Sequence, residues 1–587
     1  MTEAERFILK RGEFETTYII GEKILKHIWD YCNDNQKAIF IVSKNVDEKL
    51  ASTIRRFIPD FKEEDLSFDR TGHCDLTVRT FRYKVENMES LKSAVLEESF
   101  VTNAVVEGKY LNLTIDSNYL LSLMHSSIST TGQYPDVFQD PERVSVEHTS
   151  INPTGPIHVG RVRNSIIGDS ISRLLKRFGY RVTTQYFVND SGKQMMSLYL
   201  AYDKYNSDKQ PTPELLLEGY RRIYREMEGT GSEAEVEEMI KKYEEGDPAL
   251  INKVRKIAGV MLDDIKGDLR TIGIKIDDFT WESDFIVSGE VKTLISSLSD
   301  SIKTDGEAKY LEMKDGRKVF LTRSDGSSLY LARDIAYHMY KLSQSDWLIT
   351  VLGEDHSEHG KTLTEILTTY FDLVKRLDFV FNAFVSLETG SMSTRKGNAI
   401  TLKELIEKTC ERSKEIIAEK RGEKPSNDEI AMKIAISAIR FNILKVSASK
   451  AMVFRWEDAL DFNGDSAPFI MYSYVRALNI IRKSVVSSDI ENSTLSNKEL
   501  EKEERVLVLN MYTYPLILSE AVKNLKPEAL ANYAFMLSKI FNDFYEKCKV
   551  IDQEQEVTIR RLITVTVYKS IMEDISSIIG IQLVKEM

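Results

Sequence analysis

Between residues 143 and 188 the spacing of apolar positions changes twice. Arg143-Val144-Ser145-Val146-Glu147-His148 alternates apolar and polar side chains, which predicts a half-buried strand. Ile166, Ile167, Ile171, Leu174, Leu175 and Phe178 then recur at helical spacing up to Gly179, a residue suited to end a helix. Val182, Thr184, Tyr186 and Val188 alternate again. Strand, turn, helix and strand in that order make one βαβ unit, so the central part of the chain is expected to be α/β with a parallel sheet. Further on, the apolar run Trp347–Leu352 leads into Gly353-Glu354-Asp355-His356, the outline of another strand end and turn.

The flanks read differently. Residues 1 to about 130 mix helix and strand, and Gly108–Ile115 alternates like a sheet strand. Ser129–Pro135 has the composition of a linker. A charged helical stretch from about 203 to 270, containing Gly229-Thr230-Gly231-Ser232, reads as an insertion in the α/β domain. From about 456 the pattern is long helices. Met471, Tyr474, Val475, Leu478 and Ile481 form one apolar stripe; Ile559, Leu562, Ile563, Val567, Ile571, Ile575 and Ile578 form another. Such stripes predict the core of an all-α bundle. The expected division is 1–130, 131–455 and 456–587: an α+β domain, a doubly wound Rossmann-like domain and a helical bundle.

The turn inside the βαβ unit carries the candidate chemistry. In open parallel sheets, ligands sit at the carboxyl ends of strands, where helix N-termini offer N–H groups to phosphates. Ile151-Asn152-Pro153-Thr154-Gly155-Pro156-Ile157-His158-Val159-Gly160-Arg161 falls at that place. His158 can donate to a phosphate, and Gly160 lets a nucleotide base approach the backbone. Taken alone, His158 is better read as a turn residue with a capping role. A second segment, Ser391-Met392-Ser393-Thr394-Arg395-Lys396-Gly397-Asn398, is a polar loop with two adjacent cations that can close over a polyphosphate. Taken alone, it is better read as a solvated loop.

Composition narrows the classes. At 587 residues the chain has room for several domains with their own cores. Cys32, Cys74, Cys410 and Cys548 are scattered without a CxxC pair, which argues against structural zinc or a disulfide framework and fits a reducing cytoplasm. The charged start Met1–Arg6 lacks an apolar core of signal length, and no run is long enough to span a bilayer, so a cytoplasmic location is expected. The formal net charge of −12 lowers the expectation of a nucleic-acid partner without excluding one, since binding needs only a local basic face. Arg476, Arg482, Lys483, Arg560 and Arg561 are the candidates for that face, each competing with the simpler reading of a solvated helix surface.

Together, the two loops resemble the HIGH and KMSKS signatures of class I aminoacyl-tRNA synthetases. Val146–Asn152, Tyr186–Gln194, Trp281-Glu282-Ser283, Leu329–Ala336 and the end Ile578-Ile579-Gly580-Ile581 to Met587 are similar to arginyl-tRNA synthetases. The likeness is closest over about residues 142–465. It implies an ATP-dependent ligase that joins L-arginine to tRNA(Arg) through an arginyl-adenylate, with Mg2+ arriving on ATP, no protein metal cage, no DNA or membrane partner, and a monomeric chain. Carried over residue by residue, the catalytic group is His158, Gly160, Arg161, Arg395 and Lys396. ATP would meet Pro156, His158, Gly160, Gly353, Glu354, Met392, Ser393 and Lys396. Arginine would meet Glu147, Ser150, Asn152, Glu282, Tyr330, Asp334 and His356, with Asp334 and Tyr330 on the guanidinium. A guanidinium is a planar fork of donors, so carboxylates and a phenol suit it. For tRNA, the residues implied are Asn112 at the elbow-reading N-terminal domain and Tyr472, Arg476 and Met587 in the anticodon-binding helices. Two positions depart from the signatures: Arg161 replaces the last histidine, and Ser391 replaces the first lysine. Many arginyl enzymes carry a compensating lysine where this chain has Gly155, so that charge is assigned here to Lys396 and Arg395. Another class I adenylating enzyme, and a tRNA-binding relative without catalysis, are the competing readings.

Overall fold

The computed structural model describes residues 5–11, 14–20, 46, 49–62, 65–68, 74–85, 87–129, 142–227, 232–371, 373, 375–387, 400–422, 427–484, 498–551 and 553–587. Their contacts gather the chain into two compact units. One comprises residues 142–176 and 180–459; the other comprises 1–141, 177–179 and 460–587.

The first unit is built on a five-stranded parallel sheet. Its strands are β1 (Arg143–Glu147), β2 (Arg181–Val188), β3 (Asp278–Trp281), β4 (Trp347–Gly353) and β5 (Arg376–Asn382), in the order β5-β4-β1-β2-β3. Helix α1 (Val159–Arg177) makes the crossover from β1 to β2, and Gly179 (φ 101°) turns the chain back in a conformation that a Cβ would disfavour. Helix α2 (Tyr330–Gln344) precedes β4, and α3 (Ser357–Tyr370) lies between β4 and β5. Strand order reverses on either side of β1, so the crevice at the carboxyl ends of β1 and β4 is the topological switch point where such sheets place ligands.

The sequence reading of β1 as half-buried is corrected. Ser145 and Glu147, the polar members of its alternation, are as buried as Val144 and Val146. A central parallel strand is covered on both faces. Its polar side chains therefore need internal partners: Ser145 Oγ donates to Gln185 Oε1 at 2.6 Å, and Lys341 Nζ donates to Glu147 Oε2 at 2.7 Å.

Helices Pro213–Met227, Ser232–Glu244 and Pro248–Thr271 pack with Gly192–Asn206 around Met196, Leu198, Leu216, Val236, Val254 and Met261. A small antiparallel sheet, Ile302–Asp305, Ala308–Glu312 and Lys318–Phe320, was not expected. Its three- to five-residue strands are too short to show a period.

In the second unit, the N-terminal part holds a two-stranded hairpin, Glu5–Arg11 with Phe14–Ile20, and a four-stranded antiparallel sheet. Its C-terminal part is helical: Ala467–Lys483, Lys502–Tyr512, Tyr514–Asn524, Glu528–Lys547 and Gln555–Ile579. Every residue of the predicted 559–578 stripe is buried, as are Met471, Tyr474 and Val475 of the other; Leu478 and Ile481 are half-buried.

Arg560 and Arg561 are not part of a basic face, which corrects the sequence reading. Gln555–Ile579 is buried around most of its circumference, and both guanidiniums point into the bundle. Arg560 makes a two-pronged pair with Glu504 (2.7 and 3.0 Å), and Arg561 Nη2 donates to Glu501 Oε1 at 2.5 Å. Glu504 is fully buried, so Glu504→Ala would leave two buried cations short of a counter-charge. The expected loss is about 3–5 kcal/mol, read as a lower denaturation midpoint. A midpoint equal to wild type would show that the arginines reach water instead.

Candidate active site

A cavity of about 1110 Å3 opens at the carboxyl ends of β1 and β4. Of the residues expected in one site, Glu147, Ser150, Asn152, Pro156, His158, Arg161, Glu282, Tyr330, Asp334, Gly353 and His356 all line it. Gly160 lies just behind His158: a Cβ there would meet the imidazole Nδ1 at 3.2 Å. Glu354 is exposed and is not among the lining side chains. Met392, Ser393, Arg395 and Lys396 lie outside the described residues.

The chain leaves β1 through two residues with positive φ, Thr149 (73°) and Ser150 (36°). Side chains with a Cβ rarely adopt that region, and each such residue costs on the order of 1–3 kcal/mol unless its surroundings hold it. Here they do. Thr149 N–H donates to Asn164 Oδ1 at 2.6 Å, and Asn164 Nδ2 donates to the Val351 carbonyl at 2.7 Å, tying β1, α1 and β4 together. Ser150 Oγ donates to Glu147 Oε1 and accepts from Phe187 N–H, both at 3.0 Å.

The histidine turn is joined to the chain that follows the cationic loop. Val159 N–H donates to the Ile400 carbonyl at 3.0 Å, and Leu402 N–H donates to that of Ile157 at 2.7 Å. Thr401 between them lines the cavity and caps the helix Leu402–Arg421 in a reciprocal pair with Glu404. Lys396 is four residues from Ile400 along the chain.

Each of the three carboxylates expected to meet arginine already faces a basic side chain. Glu147 has Lys341, and Glu282 accepts from Arg333 Nε and Ser191 Oγ, both at 2.5 Å. Asp334 accepts from His359 Nε2 at 2.5 Å and has His338 Nδ1 at 3.1 Å. Burial alone would raise the Asp334 pKa, but the charges and hydrogen bonds of His338 and His359 hold it well below the usual carboxylate range. Tyr330 is 66 % exposed beside the His359 ring (centroids 5.6 Å apart), so it is not ordinary core. Asp334 is not Arg333's partner; Arg333 is committed to Glu282.

Sequence reasoning found the acids and missed their counter-charges. His338 could have been found, four residues after Asp334 on one helix face. Lys341 and His359 are brought in by tertiary packing.

His158 and the fully buried His148 both have pKa values pushed down to about 4, chiefly by burial, with the Arg161 charge adding to the effect at His158. Both are therefore neutral at pH 7, and a neutral imidazole still offers one N–H to a phosphate. Because the unfolded chain takes up these protons first, their contribution to stability is full above about pH 6.5 and is lost as pH falls through about 4. Denaturation midpoints across that window should fall less steeply for His158→Asn than for wild type. Identical slopes would mean that His158 does not titrate there.

Asn112, Tyr472, Arg476 and Met587 belong to the other unit. Asn112 is engaged within its sheet, accepting from Thr77 Oγ1 (3.0 Å) and donating to Glu107 Oε2 (3.1 Å). The Arg476 guanidinium lies between the rings of Tyr472 (4.6 Å) and Tyr545 (4.8 Å), both partly exposed. Tyr545 was not anticipated, because it comes from a different helix. Met587 is half-buried. Among the described residues no three His, Cys, Asp or Glu side chains converge as a metal site, and no helix is long and apolar enough to cross a membrane.

Comparison with known proteins gives two family matches: "tRNA synthetases class I (R), catalytic domain" over residues 124–456 and "DALR anticodon binding domain" over 470–587. Among curated relatives, a Thermoplasma acidophilum protein named arginine–tRNA ligase is 48% identical over 535 residues, covering 89% of this chain and 96% of its own. An Archaeoglobus fulgidus protein of the same name is 33% identical, covering 88% and 95%. Among solved structures, the arginyl-tRNA synthetase of Thermus thermophilus superposes with a TM-score of 0.79 at 22% identity, covering 93% of this chain and 100% of that one. That of Plasmodium falciparum gives 0.76 at 19% identity, covering 93% and 99%. These two likenesses concern the fold.

Proposed function

The chain belongs to the arginine–tRNA ligase family of class I aminoacyl-tRNA synthetases, and on that premise we propose how its residues divide the work. The protein is an ATP-dependent ligase: it activates L-arginine to arginyl-adenylate, releasing pyrophosphate, and passes the arginyl group to the 3′ end of tRNA(Arg). The observation that carries the site assignment is that one cavity at the switch point is lined both by the histidine turn and by Glu147, Glu282 and Asp334. Asp334 and Tyr330 receive the guanidinium. Glu147, Ser150, Asn152, Glu282 and His356 shape the rest of the amino-acid site.

In the first step the arginine carboxylate attacks the α-phosphate, and the bond to the β-phosphate breaks with its electrons leaving on pyrophosphate. His158 and the helix N-terminus behind Gly160 orient the phosphates; Pro156 and Gly353 border the nucleotide. Arg395 and Lys396, with Met392 and Ser393, meet the phosphates from the loop that ends at Ile400. The protein's part is alignment and charge stabilisation. Mg2+ is assigned to ATP itself, since a few phosphate and water oxygens suffice for it. Asn112 is assigned to the tRNA elbow, and Tyr472, Arg476 and Met587 to the anticodon, in a division of 1–130, 131–455 and 456–587. A monomer in the cytoplasm, where ATP and tRNA meet, completes the reading.

The test is ATP–pyrophosphate exchange with each of the twenty amino acids, with and without total tRNA. Exchange with arginine alone supports the reading. Exchange with a different amino acid overturns the pocket assignment, and none under any condition favours a tRNA-binding role without catalysis.

A further inference from the structure

The helix Pro213–Met227 turns one face to the cavity, with Leu217, Tyr220, Arg221, Tyr224 and Arg225 all among its lining residues. Spacings of three, four, seven and eight put these side chains on a single stripe. Leu217 fixes where that stripe runs: its Cδ1 lies 3.9 Å from the position a Cβ on Gly155 would take, beside the turn that leads to His158. Arg221 follows Leu217 by about one turn and Arg225 by about two, so their backbones are about 6 and 12 Å farther along the helix. An arginine side chain spans much of the first distance.

Both arginines are exposed, and among the described residues neither meets a carboxylate. Arg225 Nε donates only to the Arg221 carbonyl of its own helix, at 3.3 Å. Arg222 between them differs in both respects: it does not line the cavity, its Nε lies 3.1 Å from Glu226 Oε1, and its guanidinium stacks on Tyr205 at 4.0 Å. Glu147 and Glu282 are each paired with a cation, Lys341 and Arg333, and Asp334 is engaged by His338 and His359. The permanent charges that line the cavity near the turn are positive, on Arg161, Arg221 and Arg225.

We propose that Arg221 and Arg225 hold the polyphosphate of ATP and stabilise the negative charge that gathers on pyrophosphate as the bond between the α- and β-phosphates breaks. The inference rests on the ATP-dependent reading above and adds two residues from the inserted helix to it. A guanidinium fork matches phosphate oxygens in geometry and stays charged at every working pH. Charge held in place before the reaction acts on the transition state more than on bound ATP.

The test compares Arg221→Ala/Arg225→Ala with wild type and with Arg222→Ala, after confirming equal melting temperatures. In exchange assays with saturating arginine and tRNA, kcat should fall about 100-fold, the scale expected when donors acting in the transition state are deleted. KM for ATP should rise by a smaller factor, in line with the weaker polyphosphate binding, and KM for tRNA should not change. Arg221→Lys/Arg225→Lys should recover part of the loss, and Arg222→Ala should match wild type. Titration of the full chain with inorganic tripolyphosphate should show weaker binding in the alanine pair. That arm needs no amino acid: if wild type failed to exchange but tripolyphosphate binding still depended on the arginines, the ligase reading would fall and the phosphate site would stand. A raised KM for tRNA with exchange and tripolyphosphate binding intact would assign the arginines to RNA phosphates and overturn the proposal. No change in any readout would overturn it too.

Discussion

Asp334→Ala is expected to lower kcat/KM for arginine by about 200- to 5000-fold while the protein remains folded. Removing one partner of a desolvated charge pair costs about 3–5 kcal/mol, and each 1.36 kcal/mol is a factor of ten in rate. Asp334 is suited to that role. Its side chain is 23 % exposed, so it is reachable from the cavity and contributes little to the core. His338 and His359 keep it ionised and leave it free to accept further hydrogen bonds, since a carboxylate has about four acceptor positions. Asp334→Asn separates charge from shape and should lose most of the same activity. Charging at the wild-type rate in either variant would remove Asp334 from guanidinium recognition.

Gly168→Ala is expected to damage both stability and activity, from a residue that does not line the cavity. A Cβ on Gly168 would lie 2.2 Å from the Cβ and 2.4 Å from the Cγ of His148, closer than any real contact. These atoms sit close to the backbone and cannot swing aside, so α1 and the end of β1 would have to separate. Overpacking of this kind costs about 1–3 kcal/mol and occasionally more. The displaced segments carry Thr149, Ser150, Asn164 and, at the helix start, His158. A shift near 1 Å in such groups costs about 100-fold in rate. The measurements are the denaturation midpoint and the exchange rate of the same preparation. A wild-type midpoint with wild-type exchange would show that α1 can move away without consequence.

The βαβ unit, the turn that holds His158, and the helical character of the C-terminal part were legible because each rests on a local period or a local breaker. The same locality explains the errors. Ser145 and Glu147 follow a polar spacing that normally means solvent, yet they are buried, because a sheet covered on both faces hides its central strand from Val144 to Glu147. Arg560 and Arg561 look like a basic patch in one dimension and are interior ion-pair members in three, since Glu504 comes from a different helix and Glu501 from the residue just before it.

By itself the sequence determined the residue types of the candidate site, its place at a strand end, and through its motifs the family. Those properties depend on neighbours within a few positions or on motifs that survive as text. Tertiary structure alone decided that residues 157–159 pair with 400–402, that Lys341 and Arg333 pair with Glu147 and Glu282 while His338 and His359 flank Asp334, and that the inserted helix brings Arg221 and Arg225 to the cavity. Charge balance in a cavity is set by side chains that meet from distant parts of the chain, and periodicity carries no record of such meetings.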